Sequence, residues 1–310
     1  MDHGLYLIGF TRHGLFDALS PETLSTAHPL WQADVERFGP WTKSAARDGE
    51  KPSGGPVWRP RNDIAETRIL VCGRSSSTMD ILRHLIETMG LEPWDSVLAV
   101  EQAAGRGQHR RKWLSFPGNL YASWYWPDLA DIKGASPGWS FVASLLAGEL
   151  VAAALEDFGV SPRIKWPNDL LIHDRKICGI LTEQRNSRII VGIGLNLAGA
   201  PSGEQLADPF SISASHLTAL NVETTPLALW TRIAASGRQR LFRLLQQTTP
   251  KAFVEDLTQR LAWIGRDVTV RKSPEESFPA VIEGLAPDGG LVIRRRGKTE
   301  VIYTGSILPV

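Results

Sequence analysis

Two stretches of this chain carry residue types that could do chemistry, and they lie about sixty residues apart. The first is Glu101-Gln-Ala-Ala-Gly-Arg-Gly-Gln-His-Arg-Arg-Lys-Trp113. It sets Arg106, Arg110, Arg111 and Lys112 close together with no acid among them. The second is Lys165-Trp-Pro-Asn-Asp169, followed at once by Asp174-Arg-Lys-Ile-Cys-Gly-Ile-Leu181. It puts Lys165 and Lys176 near the carboxylate of Asp169. Arginine forks match phosphate oxygens two at a time, and glycines such as Gly105 and Gly107 let backbone move and approach a ligand. Together the two stretches describe a site for activating a carboxylate with a nucleotide triphosphate.

That chemistry sets its own requirements. Joining a carboxylic acid to AMP brings two anions together while pyrophosphate leaves, so the protein's task is cation placement. A Mg²⁺ held by a carboxylate would help with the leaving phosphates. Trp113 ends the loop with an apolar surface able to pack on a purine or cover the site. Each piece has a plainer account. The basic run could be a solvated loop or a nucleic-acid patch, and the lysines could form surface salt bridges with Asp169 or Asp174. Gly179, Gly192 and Gly194 lie inside apolar strand-like runs. Either a flat ligand comes close there or the strands bulge. Asn196 could read an adenine edge or cap a turn.

The elements that would position these residues follow from the patterning. Ile69–Cys72 reads as a strand. Ser75–Thr78 offers N-caps for a helix running to Met89 and ended by Gly90. Ser96–Glu101 reads as a strand leading into the basic loop, and Leu120–Trp126 as a strand with one covered face. A buried helix spans about 139 to 158, since Glu149, Glu156 and Asp157 break its apolar run. Arg163–Trp166, Leu170–Ile172, Ile177–Glu183 and Ile189–Leu197 read as strands, with His173–Lys176 as a hairpin turn carrying Lys176. Helices follow at about 226–247 and 250–261. After Trp263 come short strands at Asp267–Arg271, Phe278–Leu285, Leu291–Arg295 and Glu300–Tyr303, which suit a small SH3-like barrel. Residues 1–66 are the least legible part. A short helix at Pro29–Phe38 and an irregular Ala45–Pro60 connection are expected, with no pair of short helices of the DNA-binding kind, and the segment reads as an extension packed on the body.

The motifs resemble those of the biotin protein ligases. The resemblance rests on Glu101–Gly107 with Arg-Lys-Trp113, on Gly118-Asn-Leu-Tyr-Ala-Ser123, on Lys165–Asp169 with Arg175–Leu181, on Val191-Gly-Ile-Gly-Leu-Asn196, and on Ser77-Thr78. It extends from about Ile69 to Val310. It implies an α+β fold: a mixed sheet with flanking helices, related to class II aminoacyl-tRNA synthetases, followed by a C-terminal SH3-like β-barrel. The implied domains are an N-terminal extension at 1–66 that is not a helix-turn-helix, a catalytic domain at 67–262, and the SH3-like domain at 263–310. The implied reaction turns biotin and MgATP into biotinyl-5′-AMP, then transfers biotin to a lysine of a biotin carboxyl carrier protein. That partner would belong to acetyl-CoA carboxylase or another biotin-dependent carboxylase or decarboxylase.

Residue by residue, the resemblance implies that Ser77, Thr78, Gln102, Gly105, Arg106, Gly107, Gln108, Lys176, Gly179 and Gly192 line the biotin site. Lys176 and Arg106 would be the catalytic cations. Arg111, Trp113, Lys165, Asn168 and Asn196 would serve ATP, and Asp169 the metal. The loop departs from the family's arginine-rich pattern at Gln108, His109 and Arg110, which predicts shorter retention of the adenylate. A lipoate-type acyl ligase and a biotin or adenylate sensor without transfer stay open as alternatives. So does a nucleic-acid-binding barrel using Arg294-Arg-Arg296.

Bulk properties agree with an ordinary globular protein. The formal charge of +1 supplies no global field for nucleic acid or an acidic membrane. The two cysteines, Cys72 and Cys178, sit in apolar runs without metal-ligand spacing, as expected of reduced thiols in a cytoplasm. No signal peptide, DNA partner or membrane partner is expected. The oligomeric state is not legible, and a homodimer stays open.

Overall fold

The computed structural model describes residues 2–44, 56–61, 65–108, 111–185, 188–206, 210–273 and 275–310. The strands are β1 (Gly4–Ile8), β2 (Trp41–Ser44), β3 (Val57–Pro60), β4 (Arg68–Ser75), β5 (Ser96–Gln102), β6 (Leu120–Trp126), β7 (Arg163–Lys165), β8 (Asp169–Ile172), β9 (Arg175–Arg185), β10 (Arg188–Leu195), β11 (Asp267–Arg271), β12 (Ser277–Leu285), β13 (Leu291–Arg295), β14 (Lys298–Ile302) and β15 (Ser306–Pro309). The helices are α1 (Pro21–Ala27), α2 (Pro29–Phe38), α3 (Thr78–Met89), α4 (Ala143–Glu156), α5 (Pro226–Gln247) and α6 (Pro250–Leu257). Two compact units form: Met1–Pro127 with Gly179–Ala200 and His216–Arg238, and Asp128–Cys178 with Pro201–Ser215 and Gln239–Val310.

In the first unit the strand order is β2-β3-β1-β4-β5-β6-β10-β9, a mixed sheet. β4 and β5 are parallel and joined by α3, a crossover that antiparallel neighbours do not need. α3 forms because apolar residues recur at helical spacing. Met79, Ile81, Leu82, Leu85 and Ile86 are buried, and Gly90 ends the helix at φ 58°, where glycine is unstrained. Every residue of β6 is buried, against the expectation of one covered face. The reason is helices on both sides. Ser123 bonds to Thr78 of α3, while the Trp124 ring meets Trp230 of α5 edge-on at 5.8 Å.

The N-terminal segment enters the sheet. β1 pairs in parallel with β4, and β3 pairs antiparallel with β1. The helix expected at Pro29–Phe38 is present as α2. Directly before it lies α1, so a pair of short helices does exist, although α2 carries two acids against one arginine. His28 is C-cap to α1 and N-cap to α2, and Pro21 and Pro29 sit at first-turn positions where no amide partner is needed. Most of the expected Ala45–Pro60 connection falls outside the described residues.

In the second unit residues 175–178 of β9 pair with β8, and β8 with β7. The apolar stretch Trp139–Glu156, a 3₁₀ turn followed by α4, is long and apolar enough to cross a membrane, yet it is 72% buried within the fold. Its Glu149 is held by Arg240 at 2.6 Å and Arg260 at 2.9 Å. The C-terminal strands form an antiparallel sheet in the order β14-β13-β12-β11-β15. Among the described residues no pairing joins β14 to β15, so a closed barrel does not form. β12 alternates buried and exposed along its length, as a sheet with one covered face should.

Candidate active site

The cation centre lies in the second unit. Lys165 ends β7 and Asp169 begins β8, so the two are cross-strand partners at the mouth of the Trp166–Asn168 loop. Trp166 anchors that loop, its indole N–H donating to the Gly289 carbonyl at 2.9 Å. Lys165 Nζ reaches Asp169 Oδ2 at 3.0 Å, and Lys176 Nζ reaches Oδ1 at 2.6 Å. Burial is the largest influence on Asp169 and opposes its ionisation, but the charges of Lys176 and Lys165 outweigh it and hold the carboxyl down at about 2. One carboxylate between two ammoniums leaves a net positive centre. Lys176 is its open end, with its side chain 25% exposed against 10% for Lys165.

Lys176 does not sit on the hairpin turn, as its spacing suggested. The turn is His173-Asp174, both at positive φ (49° and 57°), and Lys176 is the second residue of β9. A tight two-residue turn needs left-handed backbone at both positions. Asp174 is held there by the Trp263 indole at 2.7 Å and Arg266 at 3.1 Å. The Lys176 backbone is fixed by bonds to the Ser213 carbonyl and the Ser215 amide. Asn168 is half-buried in the loop before β8.

The expected metal role of Asp169 does not fit this donor set. Each carboxylate oxygen accepts from an ammonium, and two adjacent cations repel a third. Among the described residues no group of three His, Cys, Asp or Glu could hold a metal ion.

The first unit brings together a largely neutral set. Ser77 is the N-cap of α3, buried, and makes no side-chain cap bond. The Thr78 amide and hydroxyl both donate to Gln102 Oε1, at 2.9 and 3.2 Å, and Ser123 donates to the Thr78 hydroxyl at 2.8 Å. A Cβ on Gly192 would lie 2.8 Å from the Met79 sulfur, and one on Gly194 would clash with the Trp113 indole. Only glycine lets these groups lie so close to β10. Gly179 is a partly buried position of β9.

The described part of the basic loop is a small hairpin. The Trp113 amide donates to the Gly105 carbonyl at 2.9 Å and the Gly107 amide to the Arg111 carbonyl at 2.8 Å, with Gln108 at the bend and Arg111 exposed. His109 and Arg110 lie outside the described residues. Arg106 donates to Asp80 at 2.8 Å, an acid shared with Arg83 at 3.0 Å. Asn119 was not singled out from the sequence. Its buried Oδ1 collects the amides of Leu197, Ala198 and Gly199, and its Nδ2 approaches Asn196 Oδ1 at 3.5 Å. The signal was its place in the Gly118–Ser123 motif.

Comparison with known proteins bears on this arrangement. Residues 71–198 match the model of the biotin/lipoate A/B protein ligase family. The bifunctional ligase/repressor BirA of Escherichia coli is 37% identical over 223 residues, which cover 69% of this chain and 66% of that protein, just under two thirds of its length. A biotin--[acetyl-CoA-carboxylase] ligase of Paracoccus denitrificans is 31% identical over 222 residues, covering 68% of this chain and 88% of the relative. The biotin protein ligase from Aquifex aeolicus, solved in complex with biotin and ATP, superposes with a TM-score of 0.64 at 22% identity, over 78% of this chain and 97% of that one, a likeness of fold. With a relative at this identity matched along most of its length, the chain belongs to the biotin/lipoate A/B protein ligase family.

Proposed function

We propose that this chain is a biotin–protein ligase. It would form biotinyl-5′-AMP from biotin and MgATP and pass the biotinyl group to a lysine of a biotin carboxyl carrier protein. The observation that carries the reading is the Lys165–Asp169–Lys176 centre, a net cation whose more exposed member is Lys176.

In the first step a biotin carboxylate oxygen attacks the α-phosphorus and pyrophosphate leaves. Both reactants are anions, so a fixed ammonium serves where charge develops. Lys176 takes that role. Lys165 and Asp169 hold it in place, since Asp169 accepts both ammoniums and keeps them from drifting apart. Arg106 is the second cation, and it must leave Asp80 to meet the substrate carboxylate. In the second step the carrier amine attacks the carbonyl carbon of the mixed anhydride and AMP leaves, with no covalent bond to the protein.

Binding roles divide by chemistry. Ser77, Thr78 and Gln102 supply neutral hydrogen bonds for the ureido ring and chain, and Gly105, Gly107, Gln108, Gly179 and Gly192 supply backbone. Arg111, Trp113, Lys165, Asn168 and Asn196 serve the nucleotide. Residues 67–262 would act as the catalytic domain and 263–310 as an SH3-like module, with 1–66 before them. Buried Cys72 and Cys178, whose thiols burial pushes up, suit a cytoplasmic setting. No operator binding is part of this reading, and α2, with Asp34 and Glu36 against Arg37 alone, lacks the basic character a DNA-reading helix would carry.

The test is transfer of radiolabelled biotin to a purified carrier domain, with and without MgATP. ATP-dependent label on the carrier supports the reading. Binding of biotin without transfer would instead favour a sensor, and transfer of lipoate but not biotin the related acyl ligase.

A further inference from the structure

The family match begins at residue 71, yet the turn carrying Ser77 and Thr78 is braced from outside it. The Ser76 amide donates to the Leu15 carbonyl at 2.8 Å, Phe16 and Ser75 form an antiparallel bridge, and the Asp17 amide donates to the Arg74 carbonyl at 2.8 Å. The Gly73 amide returns a bond to the Asp17 carbonyl at 3.0 Å. A Cβ on Gly73 would stand 3.1 Å from the carbonyl oxygens of both Asp17 and Ala18, so glycine permits the approach. On its other edge the same turn holds the cationic loop. The Ser75 and Ser76 carbonyls accept the amides of Ala103 and Ala104 at 2.7 and 2.9 Å.

We propose that the segment from Gly9 to Asp17 positions the biotin-binding turn, with Phe16 as its anchoring side chain. This rests on the ligase reading above. Phe16 is buried, meets Phe10 edge-on at 5.7 Å, and shares an apolar cluster with Met79, whose sulfur covers Gly192. A turn hydrogen-bonded along both edges is preorganised, and less binding energy is spent ordering Ser77 and Thr78 when ligand arrives. The N-terminal segment is thus a working part of the substrate site. Leu15 and Phe16 are positioning residues, since nothing requires them to touch biotin.

The experiment measures biotin affinity by calorimetry and KM for ATP by pyrophosphate release, in wild type, Phe16→Ala, Phe16→Leu and Gly73→Ala. Phe16→Ala should weaken biotin by about tenfold while KM for ATP stays within about twofold, and Phe16→Leu should recover most of the loss. Gly73→Ala, which pushes back Asp17 and Ala18 without touching the aromatic pair, should show the same selectivity even where Phe16→Ala fails to fold. Unchanged biotin affinity in the folded variants would overturn the proposal. So would equal losses for biotin and ATP, which mark general loosening. Wild type that does not bind biotin would instead remove the ligase reading beneath it.

Discussion

Asp34 and Asp169 are both buried carboxylates, and their surroundings drive them in opposite directions. Asp34 on α2 accepts from the Thr225 hydroxyl, the Leu227 amide at 2.8 Å and the Ala228 amide at 3.4 Å, capping the first turn of α5. Burial outweighs these neutral donors and the charge of Arg37, and pushes its carboxyl up to about 6. Asp169 is as deeply buried but has an ammonium on each oxygen, and it is held at about 2. Hydrogen bonds with the charge of Arg37 do not offset burial at Asp34, whereas two ammoniums in contact more than offset it at Asp169. Asp34 works as a structural cap, and Asp169 as the centre of a charged site.

The contrast can be broken by substitution. Asp169→Ala leaves a buried ammonium facing a partly exposed one, and it should cost about 3 kcal/mol of stability, the low end for a broken buried pair, and abolish activity; an unchanged melting temperature would contradict the arrangement. Asp34 should shape the pH dependence. Because its folded value lies above the unfolded one, its contribution is full below about 4 and is lost as pH rises through about 6, a change of roughly 2–3 kcal/mol. Asp34→Asn should lower the melting temperature overall but flatten this part of the profile, read by thermal melts from pH 4 to 7. Asp169 has the opposite sign, with stability present above about 4 and lost only as pH falls toward 2. Asp80→Asn should be milder still. It frees Arg106 from a half-exposed pair worth at most about 1 kcal/mol, so biotin should bind up to about fivefold tighter by calorimetry. The smallest expected effect is at the loop, where Gln108→Arg should lengthen adenylate retention in stopped-flow release.

Much of this was legible in the sequence where local patterning and chemistry agree. Met79 to Ile86 repeats at helical spacing, Pro226 opens α5, and Asp267–Arg271 alternates, so those elements stand where the residues placed them. The lysine–carboxylate motif likewise pointed to its own contacts. What stayed hidden depends on distant partners. β1 gains its identity from pairing with β4, and β15, ending in Pro309, from pairing with β11. β6 looked half-covered because Leu120, Ala122, Trp124 and Trp126 alternate with Tyr121, Ser123 and Tyr125, while helices cover both faces. The double pairing of Asp169 was hidden too, because its neighbour Lys176 leaves the turn for β9, and only the fold shows an ammonium on each oxygen. Asp34 gave no local sign of the backbone amides it collects, and Asn119 only its place in the Gly118–Ser123 motif.

The most direct measurement of the central claim is biotin-dependent pyrophosphate release in Lys176→Ala against wild type. Loss of one fixed donor at a developing charge lowers rates by about 10²–10³. A fall of that size, with the melting temperature nearly kept because Lys165 still pairs with Asp169, is the predicted result. Release within a few-fold of wild type would contradict the assignment of Lys176 as the catalytic cation.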